Sequence, residues 1–182
     1  MVRMKILNIS YREQLNQALT NHLANNSDLP RLAVIGIGNE FNGDDAAGVL
    51  AVRHLQRLLP FHSLLLLIEA GVAPENFTGQ LRKFHPDWVW LLDAAEMGEK
   101  PGCVQLLDWQ KSQGVSAITH GLPPTLFARF VMEEFGARIF LFGIQPELVE
   151  AYVEPTVCIQ KAVSGLTESL STWILDNYQK RI

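Results

Sequence analysis

Cysteine is scarce in this chain of 182 residues: only Cys103 and Cys158 occur, and no C-x-x-C is present. That spacing excludes a zinc ribbon and a thioredoxin-type redox site. Two thiols in an acidic chain fit a reducing cytoplasm, and both read as small buried hydrophobes, since no neighbour activates either as a nucleophile. Long apolar runs are also missing. The longest cluster, Leu64 to Ile68, is strand-sized, well short of the ~18 residues of a membrane span. The opening stretch MVRMKILNISYREQ has no sustained apolar region followed by small residues, which argues against secretion. There is no excess of positive charge. A net charge of −4 and a pI near 5.7 argue against a nucleic-acid binder, which would show a basic face. Neither H-E-x-x-H nor G-x-S-x-G occurs, so a zincin helix and a serine nucleophile elbow are absent.

What is present is an alternation of short apolar strands and amphipathic helices. Tyr11 to Asn26 reads as a helix with Leu15, Leu19 and Leu23 at i, i+4 and i+8. The turn-rich stretch Asn25 to Pro30 follows it. Residues 1–30 are therefore expected to be an appended helix and linker, and residues 31–182 the main domain. Strands are expected at Leu32 to Ile37, Ser63 to Glu69, Trp88 to Asp93, Gly102 to Asp108 and Arg138 to Ile144. Helices are expected at Asp44 to Leu59, Pro74 to Phe84, Pro124 to Phe135 (closed by Gly136) and Thr156 to Tyr178. Near-continuous apolar strands separated by helices imply a sheet covered on both faces. The fold class is α/β: a three-layer α/β/α sandwich around a mostly parallel five-stranded sheet. The direct link between the third and fourth strands predicts one antiparallel member. Ligand sites of such folds lie beyond the carboxyl ends of the strands, at the switch in strand order.

That rule ranks the polar residues. The first strand runs into Gly36-Ile37-Gly38-Asn39-Glu40-Phe41-Asn42-Gly43-Asp44-Asp45. The third glycine of a dinucleotide fingerprint would fall on Phe41, and no P-loop lysine is present. What remains is a glycine-permissive loop ending in two carboxylates at a helix start. One of them suffices as a helix cap, which leaves Asp45 to point toward the strand ends. Asp93 closes the strand WVWLLD, and the first and third strands are neighbours in a 2-1-3 order. Of five histidines, His54 lies nine positions after Asp45, about 180° around a helix. His62 and His85 precede strands, which puts His85 roughly 26 Å from Asp93. His22 is in the first helix. Only His120, in the loop Ala117 to Pro124, is placed to join Asp45 and Asp93. Two carboxylates and an imidazole form a mixed O,O,N set for a borderline divalent ion with open positions. Such a set can activate water or polarise a carbonyl.

The ordered motifs resemble the hydrogenase maturation endopeptidases. The resemblance rests on G-I-G-N-E-F-N-G-D-D-A-A-G, the Asp93-Ala94 pair and Ala73-Pro74-Glu75-Asn76. It also rests on Met97-Gly98 with Pro101-Gly102, Thr119-His120, and Gly143-Ile144-Gln145-Pro146-Glu147. It covers about Leu32 to Thr156 and is greatest to the subgroup serving formate-hydrogenlyase-type hydrogenases. It implies an α/β/α fold and an endopeptidase that removes a C-terminal extension from the [NiFe] hydrogenase large-subunit precursor. It further implies that Asp45, Asp93 and His120 are the catalytic and metal-contacting residues. The nickel is then supplied by the precursor, with no intrinsic cofactor, and neither nucleic acid nor membrane is a partner. Gly38, Asn39, Glu69, Gly71 and Gln145 are expected to line the substrate groove. Where the family's second strand ends in Asp-Gly-Gly, this chain has Glu69-Ala70-Gly71. Two other readings of the same residues are a nickel-dependent scaffold that binds the precursor without cutting it, and a different metal-dependent hydrolase.

Overall fold

A computed structural model describes residues 10–111, 116–117 and 123–178. Strands β1 (Leu32–Ile37), β2 (Leu65–Gly71), β3 (Trp88–Glu96), β4 (Val104–Leu107) and β6 (Arg138–Ile144) form one sheet in the order β2-β1-β3-β6-β4. The pairs β1–β2, β1–β3 and β3–β6 are parallel, and β4 runs antiparallel to β6 at the edge. The expected antiparallel member is thus present, although β6 separates it from β3. A two-residue strand, β5 (Ser116–Ala117), pairs antiparallel with the end of β3.

Period-2 alternation divides the apolar residues between two layers. Leu32 and Val34 of β1, Trp88, Trp90 and Leu92 of β3, and Phe140 and Phe142 of β6 face α1 (Tyr11–Asn25), α2 (Ala47–Leu58) and α5 (Val157–Tyr178). Ala33, Ile35, Ile37, Val89, Leu91, Ile139 and Leu141 face α3 (Thr78–Phe84) and α4 (Pro124–Phe135). This gives the three-layer sandwich. Gly136 closes α4 in the left-handed conformation, as its position after the last apolar residue predicts.

Helix α1 starts at a capping box: Ser10 Oγ accepts from Glu13 N–H and Glu13 accepts from Ser10 N–H. Its Leu15, Ala18 and Leu19 are buried in the same core as α2 and α5. Trp173 of α5 donates to Asn16 Oδ1 at 2.7 Å, and the Tyr178 hydroxyl donates to the Pro30 carbonyl at 2.8 Å. Residues 10–30 are thus bound into the layer that covers β1 and β3. Among the described residues no helix is long and apolar enough to cross a membrane.

Candidate active site

The site grows out of how closely α2 approaches the sheet. Gly48 sits on the ends of β1 and β3: a Cβ there would fall 2.1 Å from the Leu92 carbonyl oxygen and 2.3 Å from that of Ile37. A Cβ on Gly36 would fall 2.3 Å from the Gly48 oxygen. Only hydrogen at both positions permits this contact, and it sets the first turn of α2 against the carboxyl edge of the sheet. The chain enters through Gly38, at φ +139°, where a Cβ would lie 1.9 Å from the Asp45 carbonyl oxygen. A short 3-10 turn, Gly43–Ala46, then delivers Asp45. On the other side β3 pairs with β1 only as far as Leu92, while its pairing with β6 continues through Asp93 and Ala94. Asp93 is therefore the first residue beyond the point where β1 and β3 part. It is not the end of its strand, because pairing with β6 and β5 carries β3 on to Glu96.

Both aspartates are buried. Asp45 Oδ2 accepts the Asn39 N–H at 3.1 Å, whereas Asp45 Oδ1 has no hydrogen-bond donor among the described residues. Burial raises the Asp45 pKa against the lowering effect of the Asn39 N–H and the Asn42 side chain. Burial pushes Asp93 well above the ordinary carboxyl range, the charge of Asp45 pushes it further, and the Ala94 N–H opposes both. Asp93 thus feels the charge of Asp45 across the site. His120, expected as the third member, lies outside the described residues, as does Thr119.

Asp44 does something the sequence did not indicate. It was expected to cap its own helix, but no side-chain cap bond forms there. Its buried carboxylate instead accepts from the N–H groups of Glu147 and Leu148, both at 2.8 Å, and Thr156 at 2.7 Å. The Thr156 hydroxyl adds a fourth bond at 3.1 Å. Asp44 therefore ties the loop between β6 and α5 to the loop that carries Asp45. The two neighbouring carboxylates have divided roles: one is fully hydrogen-bonded, the other has an oxygen to spare.

The model of the hydrogenase maturation protease family matches residues 49–173. The chain belongs to that family. It is 31 % identical over 138 residues to the hydrogenase 3 maturation protease of Escherichia coli K12, covering 75 % of this chain and 86 % of the relative. Its fold matches the crystal structure of a [NiFe] hydrogenase maturation protease from Thermococcus kodakarensis with a TM-score of 0.73 at 33 % identity. That match covers 79 % of this chain and 92 % of the other. The solution structure of an endopeptidase from Escherichia coli, HycI, matches with a TM-score of 0.68 at 27 % identity, over 78 % and 90 % of the two chains. As a maturation protease, the protein is a peptidase.

Around the aspartates of this maturation protease, the expected groove residues are used unequally. The Gly38 N–H donates to the Gly71 carbonyl at 3.1 Å, joining the ends of β1 and β2. Asn39 gives its N–H to Asp45 and accepts the Phe41 N–H on Oδ1 at 3.0 Å, which fixes the turn. Glu69, at the end of β2, accepts from Arg53 Nε at 3.0 Å and from Arg53 Nη2 at 2.6 Å, both on Oε2. The same guanidinium reaches Glu40 at 2.6 Å. Arg53 is the residue that sequence reasoning missed. Its position on α2 eight residues after Asp45 gave no hint of two acidic partners, one on the loop after β1 and one near the end of β2. Gln145 is also committed internally. Its Oε1 accepts from the N–H groups of Met97 and Glu99, and its Nε2 donates to Glu96 and the Pro146 carbonyl, fastening the chain after β3 to the end of β6.

Three further histidines have aromatic partners, and both cysteines are half-buried rather than buried as expected, Cys103 Sγ accepting from Gln105 Nε2 at 3.8 Å. His22 packs on Trp88, His62 on Tyr178 and His85 on Phe135. Cys158 lies nearer the carboxyl edge than expected, since its Sγ contacts Thr156 Oγ1 and Glu147 Oε2, both at 3.1 Å. Burial raises its pKa despite the Thr156 contact, the opposite of what an activated thiolate needs.

Proposed function

We propose that this protease removes the C-terminal extension of a [NiFe] hydrogenase large-subunit precursor after nickel insertion, and that the nickel arrives as part of the substrate. The observation that carries the reading is the buried Asp45–Asp93 pair at the parting of β1 and β3. Two carboxylates in a site of low dielectric repel one another, and one of them has an acceptor oxygen without a donor. A divalent cation answers both conditions: it neutralises the pair and fills the open lone pairs. Asp45 and Asp93 would hold that ion, with His120 as the third donor that the resemblance implies. The nickel would supply Lewis acidity toward the scissile carbonyl.

The aspartates also support acid–base work of their own. Burial and the charge of Asp45 favour the protonated form of Asp93, so Asp45 can take a proton from water as its oxygen attacks the carbonyl carbon. The other carboxyl can hand a proton to the departing amine as the C–N bond breaks. Nickel-free and nickel-loaded precursor, offered in parallel to protease dialysed against chelator, separate the two routes on a gel. Shortening of only the loaded precursor is the expected result. If both forms are cut equally, the metal is not required and the pair works as acid and base alone.

A further inference from the structure

The loops that frame the aspartates carry large apolar side chains that folding does not use. Phe41 is 71 % exposed, Leu148 40 % and Tyr152 92 %. They form one rim because their backbones are joined. Tyr152 N–H donates to the Phe41 carbonyl at 2.6 Å, Asp44 N–H to the Leu148 carbonyl at 2.9 Å and Gly43 N–H to the Val153 carbonyl at 3.1 Å. The Asp44 carboxylate adds its four bonds from the other side. The rim is continuous with the aspartate site, since Asn39 bonds both Phe41 and Asp45. Tyr152 also has a φ of +64°, a conformation in which glycine is the undemanding choice. A side chain that is almost wholly in water and imposes backbone strain gains nothing within this chain.

We propose that Phe41, Leu148 and Tyr152 are the anchor by which the protease grips the folded body of its precursor, beside the aspartates that receive the tail. The proposal rests on the reading of function given above. A wall of a peptide groove would be partly covered by its neighbours. Phe41 and Tyr152 instead stand proud, so they enter hollows on a partner, and hollows belong to a folded surface rather than an extended tail. Aromatic side chains presented on a hydrogen-bonded loop lose little freedom on docking, which is why such residues dominate binding energy at protein interfaces.

The experiment measures cleavage of nickel-loaded precursor by wild type, the Phe41→Ser/Tyr152→Ser double variant and Tyr152→Gly. Phe61→Ser is the control, because Phe61 is 94 % exposed but precedes β2, at the amino edge of the sheet. The double variant should raise KM about tenfold or more, as loss of interface anchors does, with kcat within about twofold of wild type. Tyr152→Gly suits the left-handed backbone, so it should melt no lower than wild type and still raise KM. It therefore reports on binding even if the double variant does not fold. Phe61→Ser should leave both constants unchanged. A synthetic peptide spanning the cleavage site should inhibit wild type and Tyr152→Gly equally. If its inhibition weakens in the variant, the rim takes the tail and the assignment to the folded body is wrong. If wild type cuts and Tyr152→Gly has an unchanged KM, the rim proposal fails alone. If wild type does not cut loaded precursor at all, it is the reading of function that fails.

Discussion

Replacing Asp44 with asparagine should unfold this protein more readily than any other single change at the site. The buried carboxylate accepts four hydrogen bonds at 2.7–3.1 Å, three of them from backbone N–H groups of the loop between β6 and α5. Bonds to a charged acceptor contribute about 1.5–3 kcal/mol each, and a buried donor left unpaired costs about 1–3 kcal/mol. The four share one carboxylate, so their contributions do not add in full. Asparagine keeps one acceptor oxygen but turns an NH2 group toward the remaining N–H donors. A loss of about 3–5 kcal/mol follows, a large part of the roughly 5–15 kcal/mol that holds a domain together. At about 2–4 °C per kcal/mol for a chain of this size, Tm should fall by roughly 6–20 °C. Thermal denaturation followed by circular dichroism at neutral pH measures it. Cleavage should fall as well, because the bonds hold the Phe41–Tyr152 rim on the loop that carries Asp45. A Tm within about 2 °C of wild type would refute the reasoning, since it would mean that water or another group satisfies those donors at no cost.

Asp93→Asn should act in the opposite sense, raising stability by about 1–3 kcal/mol while abolishing cleavage, because it removes a buried charge that repels Asp45. The Asp93 pKa is raised above its unfolded value of 3.8, so its contribution to stability is fully present below that pH and is lost as pH rises through the folded pKa. The advantage of the variant over wild type should therefore grow with pH in melts run from pH 5 to pH 8. A variant that melts below wild type at the upper end contradicts the cost assigned to the buried Asp93 charge. Gly48→Ala should cost about 1–3 kcal/mol, since its Cβ would be driven onto the Leu92 and Ile37 carbonyls. It should also lower kcat by separating Asp45 from Asp93, and an unchanged melt and rate would show that α2 has room to shift. Glu69→Gln loses one of the two carboxylates on Arg53 and should raise KM with turnover partly retained. A loss as complete as that of Asp93→Asn would place Glu69 in the catalytic set.

Much of the fold was legible because its signals are local. Apolar strands such as Leu32–Ile37 and Arg138–Ile144, the amphipathic stripe of α2 and the glycine after α4 each lie within a few residues of chain. Asp45 and Asp93 could be nominated because a parallel sheet with helical crossovers sends every strand end to the same edge, so order along the chain implies proximity in space. The 2-1-3 strand order then made them neighbours. Contacts between distant segments could not be read in this way. Which of Asp44 and Asp45 would be satisfied depended on donors more than 100 residues away, in the loop leading to α5. The Arg53 link between Glu40 and Glu69, and the internal use of the Gln145 amide, likewise join groups from segments distant along the chain. The leucines of α1 announced an apolar face but not what it covers. Trp173 and Tyr178, at the far end of the chain, provide its packing partner and pin the linker. Sequence periodicity determined which residues leave water. Tertiary structure decided which buried polar group meets its donors and which keeps an oxygen without one, because hydrogen bonds require particular atoms at particular distances whereas apolar burial does not.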